Sequence, residues 1–322
     1  MFCPNYKIQE VKDGFNEIVE ALGGQPLTDE EFRSSELRNQ RTGVNYSAME
    51  SAYKIYHRNG GNMLDTAPNG KHSVLWDTLL DYFGGDRTKT IVAKSNVYSD
   101  KFINWFGDWT AEDKDGVSKV VDENSEPLVV YHGSPEHGFT VFSKNSLDRF
   151  DRTTQGLNKK FYFTKDRIIS RQFALNDEEL RALYFTDPEE GDYSDIEIHN
   201  DELDNRVYPV FLNIRKPVQI NAEGKAVYQL SDSERKEIDS SEEAIIQNVL
   251  EQLPPRILEL MPEADTYLSH PFTTDYLVSN PNQIKHIENL GTWNPNDPNI
   301  YHNKLSPSAE KIAKEYGIDL QF

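Results

Sequence analysis

The stretch VVYHGS at residues 129–134 indicates how this chain folds. It follows a polar turn, DENSE at 122–126, and begins with a β-branched and aromatic run that is typical of a buried strand. His132 therefore falls at a strand end, where side chains leave the core and can meet a ligand. Gly133 has no Cβ and lets the backbone approach such a ligand closely. The alternative is a histidine that is hydrogen-bonded for structural reasons only.

Composition limits the class of protein. With 322 residues, 37% hydrophobic and 27% charged, the chain is typical of a soluble globular protein with one large or two smaller domains. No apolar run approaches the roughly 18 residues of a membrane helix, and the first residues show no secretory pattern, so we expect neither a membrane span nor secretion. The single cysteine, Cys3, excludes an internal disulfide framework and a multi-cysteine metal site, and it favours a reducing, cytoplasmic setting.

The negative charge of the chain is unevenly distributed. The net charge is −20, of which −3 falls in residues 1–110 and −17 in the remainder. Such a surface repels phosphate backbones and disfavours general nucleic-acid binding, although a local basic pocket for one nucleotide is compatible with it. Residues 176–206 alone carry −10 and indicate a solvated, acidic insertion. An acidic decoy surface is the alternative for this segment.

Residues 1–110 show the spacing of helices. Apolar residues recur every three to four positions, and Thr28 with Glu31 forms a capping box. Further helices are predicted to begin at Ser47 and Ser73.

Two Trp and two Phe lie within residues 102–109. We interpret these rings as packing the helical region onto the second part of the chain, with a binding surface as the alternative. A polar, turn-rich segment comes after them, so the predicted division is a helical region at 1–110 and a second domain at 111–322.

Short apolar runs separated by turns dominate the second part of the chain. Strands are predicted at 118–122, 128–131, 139–142, 161–164, 207–214, 217–220, 275–279 and 283–287. Helices are predicted at 168–174, 240–253 and 306–317. Helices first and mostly strands later predict an α+β fold.

Three short motifs follow one another along this second part: YHGS at 131–134, FYFT at 161–164 and NQIK at 282–285. In this order they resemble the H-Y-E class of ADP-ribosyltransferases, and more closely the ADP-ribosyltransferase domain of polyvalent proteins from phages and mobile elements. Longer matching stretches lie at 120–134, 208–217 and 291–300. The resemblance covers roughly residues 60–302. It implies a split, mostly antiparallel sheet that binds NAD, the co-substrate, in its central cleft.

The resemblance also implies roles for individual residues. His132 would hydrogen-bond the adenine-side ribose of NAD, the Gly133 backbone would hold the nicotinamide carboxamide, and Ser134 would assist. Tyr162 would stack on the nicotinamide ring, and Phe173, eleven residues later, would supply a second ring. A core residue in an aromatic strand is the alternative for Tyr162. The chemistry requires that NAD is held, that nicotinamide can leave, and that the cation-like ribose is stabilised.

The third motif position departs from the class. Gln283 stands where the class has Glu, and a Gln amide keeps a hydrogen bond to ribose but lacks the carboxylate charge. This change disfavours poly-ADP-ribose synthesis and strong activation of the glycosidic bond. Glu288 is a nearby alternative for the role, and Gln283 pairing with a neighbouring loop is the structural alternative.

We therefore expect a mono-ADP-ribosyltransferase that uses NAD to modify a protein, with nucleic acid as the less favoured acceptor. The expected setting is a bacterial cytoplasm during phage or mobile-element conflict, with the virion as a further option. An NAD- or ADP-ribose-binding module without transfer activity is one alternative, and a phage structural or cargo protein is another. The histidines show no metal-ligand spacing, so no metal is expected.

Overall fold

In a computed structural model, the described residues form a group of helices and, later in the sequence, a β-sheet that helices accompany. The structure describes residues 5–143, 160–176, 179, 203–222, 225, 229–249, 272–289 and 291–301. These residues form two compact units, one comprising 5–128 with 291–293 and the other 129–289 with 294–301, apart from the gaps just given.

The first unit is helical, as predicted. Its helices are α1 (Asn5–Ala21), α2 (Asp29–Arg33), α3 (Ser35–Asn39), α4 (Val44–Arg58), α5 (Val74–Tyr82), α6 (Arg87–Asn96) and α7 (Asp100–Phe106). Thr28 and Glu31 form the predicted capping box at α2, and Ser73 caps α5. Helix α4 begins earlier than predicted, at Val44 rather than at Ser47. Among the described helices of the whole chain, none has both the length and the apolar character needed to cross a membrane.

The aromatic residues at 102–109 pack in the interior of this unit. Phe102, Trp105, Phe106 and Trp109 are all buried. The Trp293 ring belongs to the same unit and lies 4.7 Å from the Phe102 ring and 5.7 Å from the Trp105 ring, centroid to centroid. The cluster is therefore a packing feature of the helical unit, and its predicted role in joining this unit to the second part of the chain stays a prediction.

The second unit contains the sheet. Its strands are β1 (Val130–Gly133), β2 (Phe161–Thr164), β3 (Val207–Leu212), β4 (Val218–Asn221), β5 (Glu243–Val249), β6 (Phe272–Val278) and β7 (Ile284–His286), and its helices are α8 (Arg167–Ala174) and α9 (Asp232–Ser240). In space the strands follow the order β4-β5-β6-β2-β1-β3-β7. Within the described residues, every neighbouring pair is antiparallel except β4 and β5. This arrangement confirms the predicted α+β fold with a mostly antiparallel sheet.

The helix predicted at 240–253 is wrong, because strand β5 occupies residues 243–249. Ile245, Ile246 and Val249 satisfy helical spacing, but β-branched side chains favour a strand. Strands β4 and β6 pair with β5 on both sides, and Ala244 and Ile246 are fully buried. The remainder of that prediction, from residue 250 onward, lies outside the described residues.

The strand predicted at 139–142 is also wrong. This segment is irregular and is joined to the sheet region by a bridge between Val141 and Asn299. The helix predicted at 306–317 and most of the acidic segment at 176–206 lie outside the described residues.

Candidate functional site

The candidate site lies where strands β1 and β2 separate. The two strands are antiparallel neighbours, but the pairing that the described residues show is confined to Tyr131 and Thr164. Strand β1 instead pairs along its length with β3, and β2 pairs along its length with β6. The sheet is therefore split towards the C-terminal end of β1.

His132 stands in this split. Its Nδ1 lies 2.7 Å from the carbonyl oxygen of Tyr162 on β2. The rings of Phe142 and Phe163 contact the imidazole, with centroids at 4.9 and 5.3 Å. Burial lowers the pKa of His132 to about 4, and the hydrogen bond opposes this shift only in part. The imidazole is therefore neutral at pH 7: Nδ1 donates to the carbonyl, and Nε2 keeps a lone pair that can accept a hydrogen bond.

Gly133 lies directly against helix α8. A Cβ at this position would be 1.7 Å from the carbonyl oxygen of Ser170 and 2.9 Å from the amide nitrogen of Ala174. Helix packing, which the sequence does not reveal, thus requires this glycine. The Ser134 amide donates to the Arg206 carbonyl on the β3 side. Because an antiparallel ladder alternates, the Gly133 amide is turned away from β3 and towards the split.

Ser134 directly follows Gly133, and Phe173 lies on helix α8, against which Gly133 packs. The Ser134 hydroxyl accepts a hydrogen bond from the Glu136 amide at 3.2 Å and so holds the turn after β1. Phe173 lies on α8, three residues beyond Ser170, and its side chain is 57% exposed. An exposed aromatic ring on this helix is available for stacking.

Tyr162 carries a hydroxyl group without a hydrogen-bond partner. The hydroxyl oxygen is shielded from solvent and makes no hydrogen bond within the described part of the chain. The side chain packs against a buried cluster formed by Ile220, Ala222, Leu230, Ile238, Ala244, Ile246 and Leu277. Burial raises the pKa of Tyr162 well above its ordinary value, so the hydroxyl stays protonated. An orphaned buried polar group is costly, and a bound ligand would satisfy it.

Gln283 is not brought together with these residues. Its carbonyl accepts from the amide of Asn213, the residue after β3, at 2.9 Å, whereas His132 pairs with Tyr208 near the start of β3. The five intervening steps along the chain correspond to roughly 17 Å. The Gln283 side-chain amide donates to the Asn213 carbonyl at 2.7 Å and to Glu243 Oε1 at 2.5 Å. This is the pairing with a neighbouring loop that the sequence left as the structural alternative.

Asp275 is the acidic residue that the structure places beside Tyr162, and sequence reasoning missed it. Strand β6 flanks β2, with Leu277 opposite Tyr162 and Asp275 opposite Thr164. Residues two apart on a strand share a face, so Asp275 and Tyr162 are diagonal neighbours, for which a separation of roughly 7–8 Å is usual. After burial, the charge of Asp275 is the next cause that raises the pKa of Tyr162.

The sequence held only a weak signal for Asp275. It opens the strand predicted at 275–279, but nothing in the sequence pairs that strand with the one that carries Tyr162. Glu288, the alternative named from the sequence, is exposed and follows β7 at the far edge of the sheet. Within the residues that the structure covers, no group of three His, Cys, Asp or Glu is placed to hold a metal ion.

The groups around the split are chemically suited to NAD as a substrate. His132 offers a hydrogen-bond acceptor, and Gly133 turns a backbone amide towards the split. Tyr162 and Phe173 offer aromatic rings, and the unpartnered Tyr162 hydroxyl can bind a polar group of the ligand. Asp275 offers a negative charge on the strand beside Tyr162.

Comparison with known protein families identifies the region that contains this site. The family model described as ADP-ribosyltransferase in polyvalent proteins matches residues 122–293, which is more than half of the chain. Comparisons with curated proteins and with solved structures found no match. The matched range includes β1 through β7 and therefore the whole split sheet.

Proposed function

The chain belongs to the ADP-ribosyltransferases of polyvalent proteins, and we propose that it is a mono-ADP-ribosyltransferase that moves ADP-ribose from NAD to a protein acceptor. The observation that carries the proposal is the split between β1 and β2, with the neutral His132 imidazole in it and the unpartnered Tyr162 hydroxyl on the neighbouring strand. A hydrogen-bond acceptor, a free backbone amide direction and aromatic residues on the strands and helix that border one split suit a ligand that carries a carboxamide and two riboses.

In this proposal NAD binds in the split. His132 Nε2 accepts a hydrogen bond from a hydroxyl of the adenine-side ribose, and the Gly133 amide donates to the carboxamide oxygen. The rings of Tyr162 and Phe173 pack on nicotinamide. Ser134, whose hydroxyl already holds the following turn, keeps the end of β1 in place.

Asp275 supplies the negative charge that the reaction needs. Nicotinamide leaves the ribose with the bonding electron pair, so positive charge develops on the sugar, and a nearby carboxylate lowers the energy of that state. The neutral amide of Gln283 cannot do this, and it lies far from His132 along β3. We therefore assign to Asp275 the role that the class gives to the Glu of the third motif. Gln283 is assigned a structural role, in which it links the loop after β3 to the start of β7.

The resemblance to polyvalent proteins also supports a biological setting. We propose that the protein acts in a bacterial cytoplasm on behalf of a phage or mobile element. A protein acceptor is favoured over nucleic acid because a net charge of −20 repels phosphate backbones.

Incubation of the purified protein with labelled NAD and a bacterial lysate tests this function. We expect a labelled protein band and free nicotinamide, both absent with the folded His132→Ala variant. NAD binding without any release of nicotinamide would support the alternative, a module that binds NAD or ADP-ribose without transfer. Unchanged NAD affinity in both His132→Ala and Tyr162→Ala would contradict the assignment of the site.

A further inference from the structure

Helix α9 brings a second carboxylate towards Tyr162. Arg235, Ile238 and Asp239 follow one another at spacings of three and four residues and so share one face of the helix. Ile238 is fully buried in the cluster against which Tyr162 packs. Arg235 and Asp239, on either side of Ile238, therefore border the Tyr162 side chain.

The electrostatics of the Tyr162 hydroxyl agree with this placement. After burial, the charges of Asp275 and Asp239 raise the pKa of Tyr162, and the charge of Arg235 lowers it. Two negative charges and one positive charge thus act on the hydroxyl. The Arg235 side chain is also engaged elsewhere, because its Nε donates to the Leu230 carbonyl at 3.0 Å. Two carboxylates and one guanidinium leave a formal charge of −1 among these three groups.

The two carboxylates stand at different depths. Asp275 is partly buried on β6, whereas Asp239 is exposed at the end of α9. The Tyr162 hydroxyl, on which both carboxylates act, is shielded from solvent and has no partner among the described residues. A cation that approaches Tyr162 from the α9 side would therefore meet the exposed Asp239 first and the partly buried Asp275 second.

We propose that the acceptor is a guanidinium group, an arginine on a basic partner protein, and that Asp239 receives it at the rim of the site. This inference rests on the proposed transferase function and specifies its substrate. A carboxylate acceptor would be repelled by Asp239 and Asp275, whereas a guanidinium is attracted and can bind a carboxylate through two parallel hydrogen bonds. The net charge of −20 also favours a basic partner over an acidic one.

In the transfer step, the bond between C1″ of the ribose and the nicotinamide nitrogen breaks, and nicotinamide leaves as a neutral molecule with the electron pair. A guanidino nitrogen of the acceptor forms the new bond to C1″. The proton that this nitrogen loses passes to solvent water. The products are ADP-ribosylated arginine, nicotinamide and one proton.

Agmatine, a small guanidine, tests the assignment in the full-length protein. Nicotinamide release and the mass of the product are measured with NAD plus agmatine, with NAD plus putrescine as the amine counterpart, and with NAD plus N-acetylglutamate as a carboxylate. We expect a several-fold stimulation and an ADP-ribosyl product with agmatine alone. Stimulation by putrescine or by the carboxylate to the same extent would overturn the guanidinium assignment.

A pair of variants on α9 isolates the role of Asp239. Asp239→Asn should lower agmatine-dependent release by roughly tenfold while leaving NAD affinity and the unfolding temperature unchanged. Glu237→Gln removes the same charge from the opposite side of the same helix and should leave release unchanged. Equal rates in the wild type and Asp239→Asn would overturn the proposed role of Asp239.

The outcomes separate this inference from the function on which it rests. Nicotinamide release that agmatine does not change, or lysate proteins modified on carboxylate side chains as read by mass spectrometry, would overturn the acceptor assignment and leave the transferase proposal standing. The absence of nicotinamide release with every acceptor and with lysate would contradict the transferase proposal and this inference with it.

Discussion

At the scale of single residues, the neutral state of His132 predicts how NAD binding responds to pH. The pKa of His132 is lowered to about 4 by burial, so Nε2 keeps its lone pair down to about pH 5. NAD affinity should therefore stay constant from about pH 8 to about pH 5, whereas a histidine with the ordinary pKa would lose its acceptor near pH 6.5. Calorimetric titration across this range measures the effect. A loss of affinity centred near pH 6.5 and absent from His132→Gln would contradict the prediction.

The free energy of unfolding should depend on pH below about pH 6.5, where the histidines of the unfolded chain become protonated. A histidine whose folded pKa lies below its unfolded value binds fewer protons in the folded state, so its contribution is fully present above about pH 6.5 and is lost as the pH falls. His132 and His286, with pKa values lowered to about 4 and about 3, both behave in this way. The free energy of unfolding should therefore decrease between about pH 6.5 and about pH 4, by at most about 1.4 kcal/mol per pH unit for each histidine.

Gly133→Ala is expected to displace helix α8. The new Cβ would lie 1.7 Å from the Ser170 carbonyl oxygen, a backbone atom that cannot rotate away. We expect a loss of roughly 2–4 kcal/mol in the free energy of unfolding, measured by urea titration, together with weaker NAD binding. Ser134→Ala, which removes one hydrogen bond of the adjoining turn, is the control and should cost less. Identical urea midpoints for Gly133→Ala and the wild type would show that the helix tolerates a side chain there.

Substitutions at Asp275 and at Gln283 should differ in their effect on nicotinamide release. Asp275→Asn keeps the shape of the side chain but removes its charge, and we expect release to fall by about 10²-fold with little change in NAD affinity. Gln283→Leu should lower the unfolding temperature, because Asn213 and Glu243 lose a donor, and it should change release only slightly in the folded protein. If Gln283→Glu raised NAD hydrolysis while Asp275→Asn had no effect, the third-motif residue would be Gln283 and the assignment to Asp275 would be wrong.

These residues also show how far the sequence alone can identify the site. His132, Gly133 and Tyr162 lie in contiguous motifs, so local sequence is sufficient to find them. Asp275 becomes a neighbour of Tyr162 only through the pairing of β2 with β6, strands separated by more than one hundred residues in the chain. Local sequence patterns do not reveal such pairing. They predict Gln283 as a site residue because it lies in a motif, whereas the fold places it away from the split.

At the scale of elements, a buried ion pair connects α5, α6 and the segment before β1. Lys94 Nζ lies 3.0 Å from Glu126 Oε1 and both side chains are fully buried, while the Ser73 hydroxyl at the start of α5 donates to Glu126 Oε2 at 2.6 Å. Burial lowers the pKa of Lys94, and the nearby carboxylate opposes the shift. Removal of one partner would leave an uncompensated buried charge, so Glu126→Gln should cost about 3–5 kcal/mol.

A double-mutant cycle checks this ion pair. Lys94→Met and Glu126→Gln are each expected to lower the urea midpoint strongly, and the combined variant should lose less than the sum of the two. Strict additivity of the two losses would indicate that Lys94 and Glu126 do not stabilise each other. The exposed pair of Lys54 and Glu50 on α4 offers the control, because its disruption should cost no more than about 0.5 kcal/mol.

Prediction from sequence succeeded for elements whose signals are local. The capping residues Thr28 and Ser73 mark α2 and α5 because a cap is made by residues a few positions apart. Strand β5 was mistaken for a helix because its apolar spacing fits both structures over a short run. Its parallel pairing with β4 and antiparallel pairing with β6 decided the outcome, and both partners are set by the fold as a whole.

At the scale of the whole molecule, the helical unit contains residues that precede the sheet in sequence and residues that follow it. Residues 291–293 belong to it although they follow β7 in sequence. The Trp293 side chain is buried, and its ring meets Phe102 edge to face at 4.7 Å. A fragment that ends at residue 128 would therefore lack a large ring from its core, which is why the helical unit should not reach full stability on its own.

Trp293→Ala in the intact chain tests how much the Trp293 ring contributes to the core of the helical unit. Loss of a buried ring should lower the free energy of unfolding by about 3–5 kcal/mol, and the fragment 1–128 should show a similar loss relative to the helical unit in the intact chain. Phe173→Ala is the matched aromatic control: its ring is 57% exposed, so stability should change by no more than about 0.5 kcal/mol even though NAD binding weakens. Thermal unfolding followed by tryptophan fluorescence measures both effects. A fragment 1–128 that unfolds at the temperature of the helical unit in the intact chain would show that the Trp293 ring contributes nothing to this core, and the helical unit would then be complete without the chain that returns from the sheet.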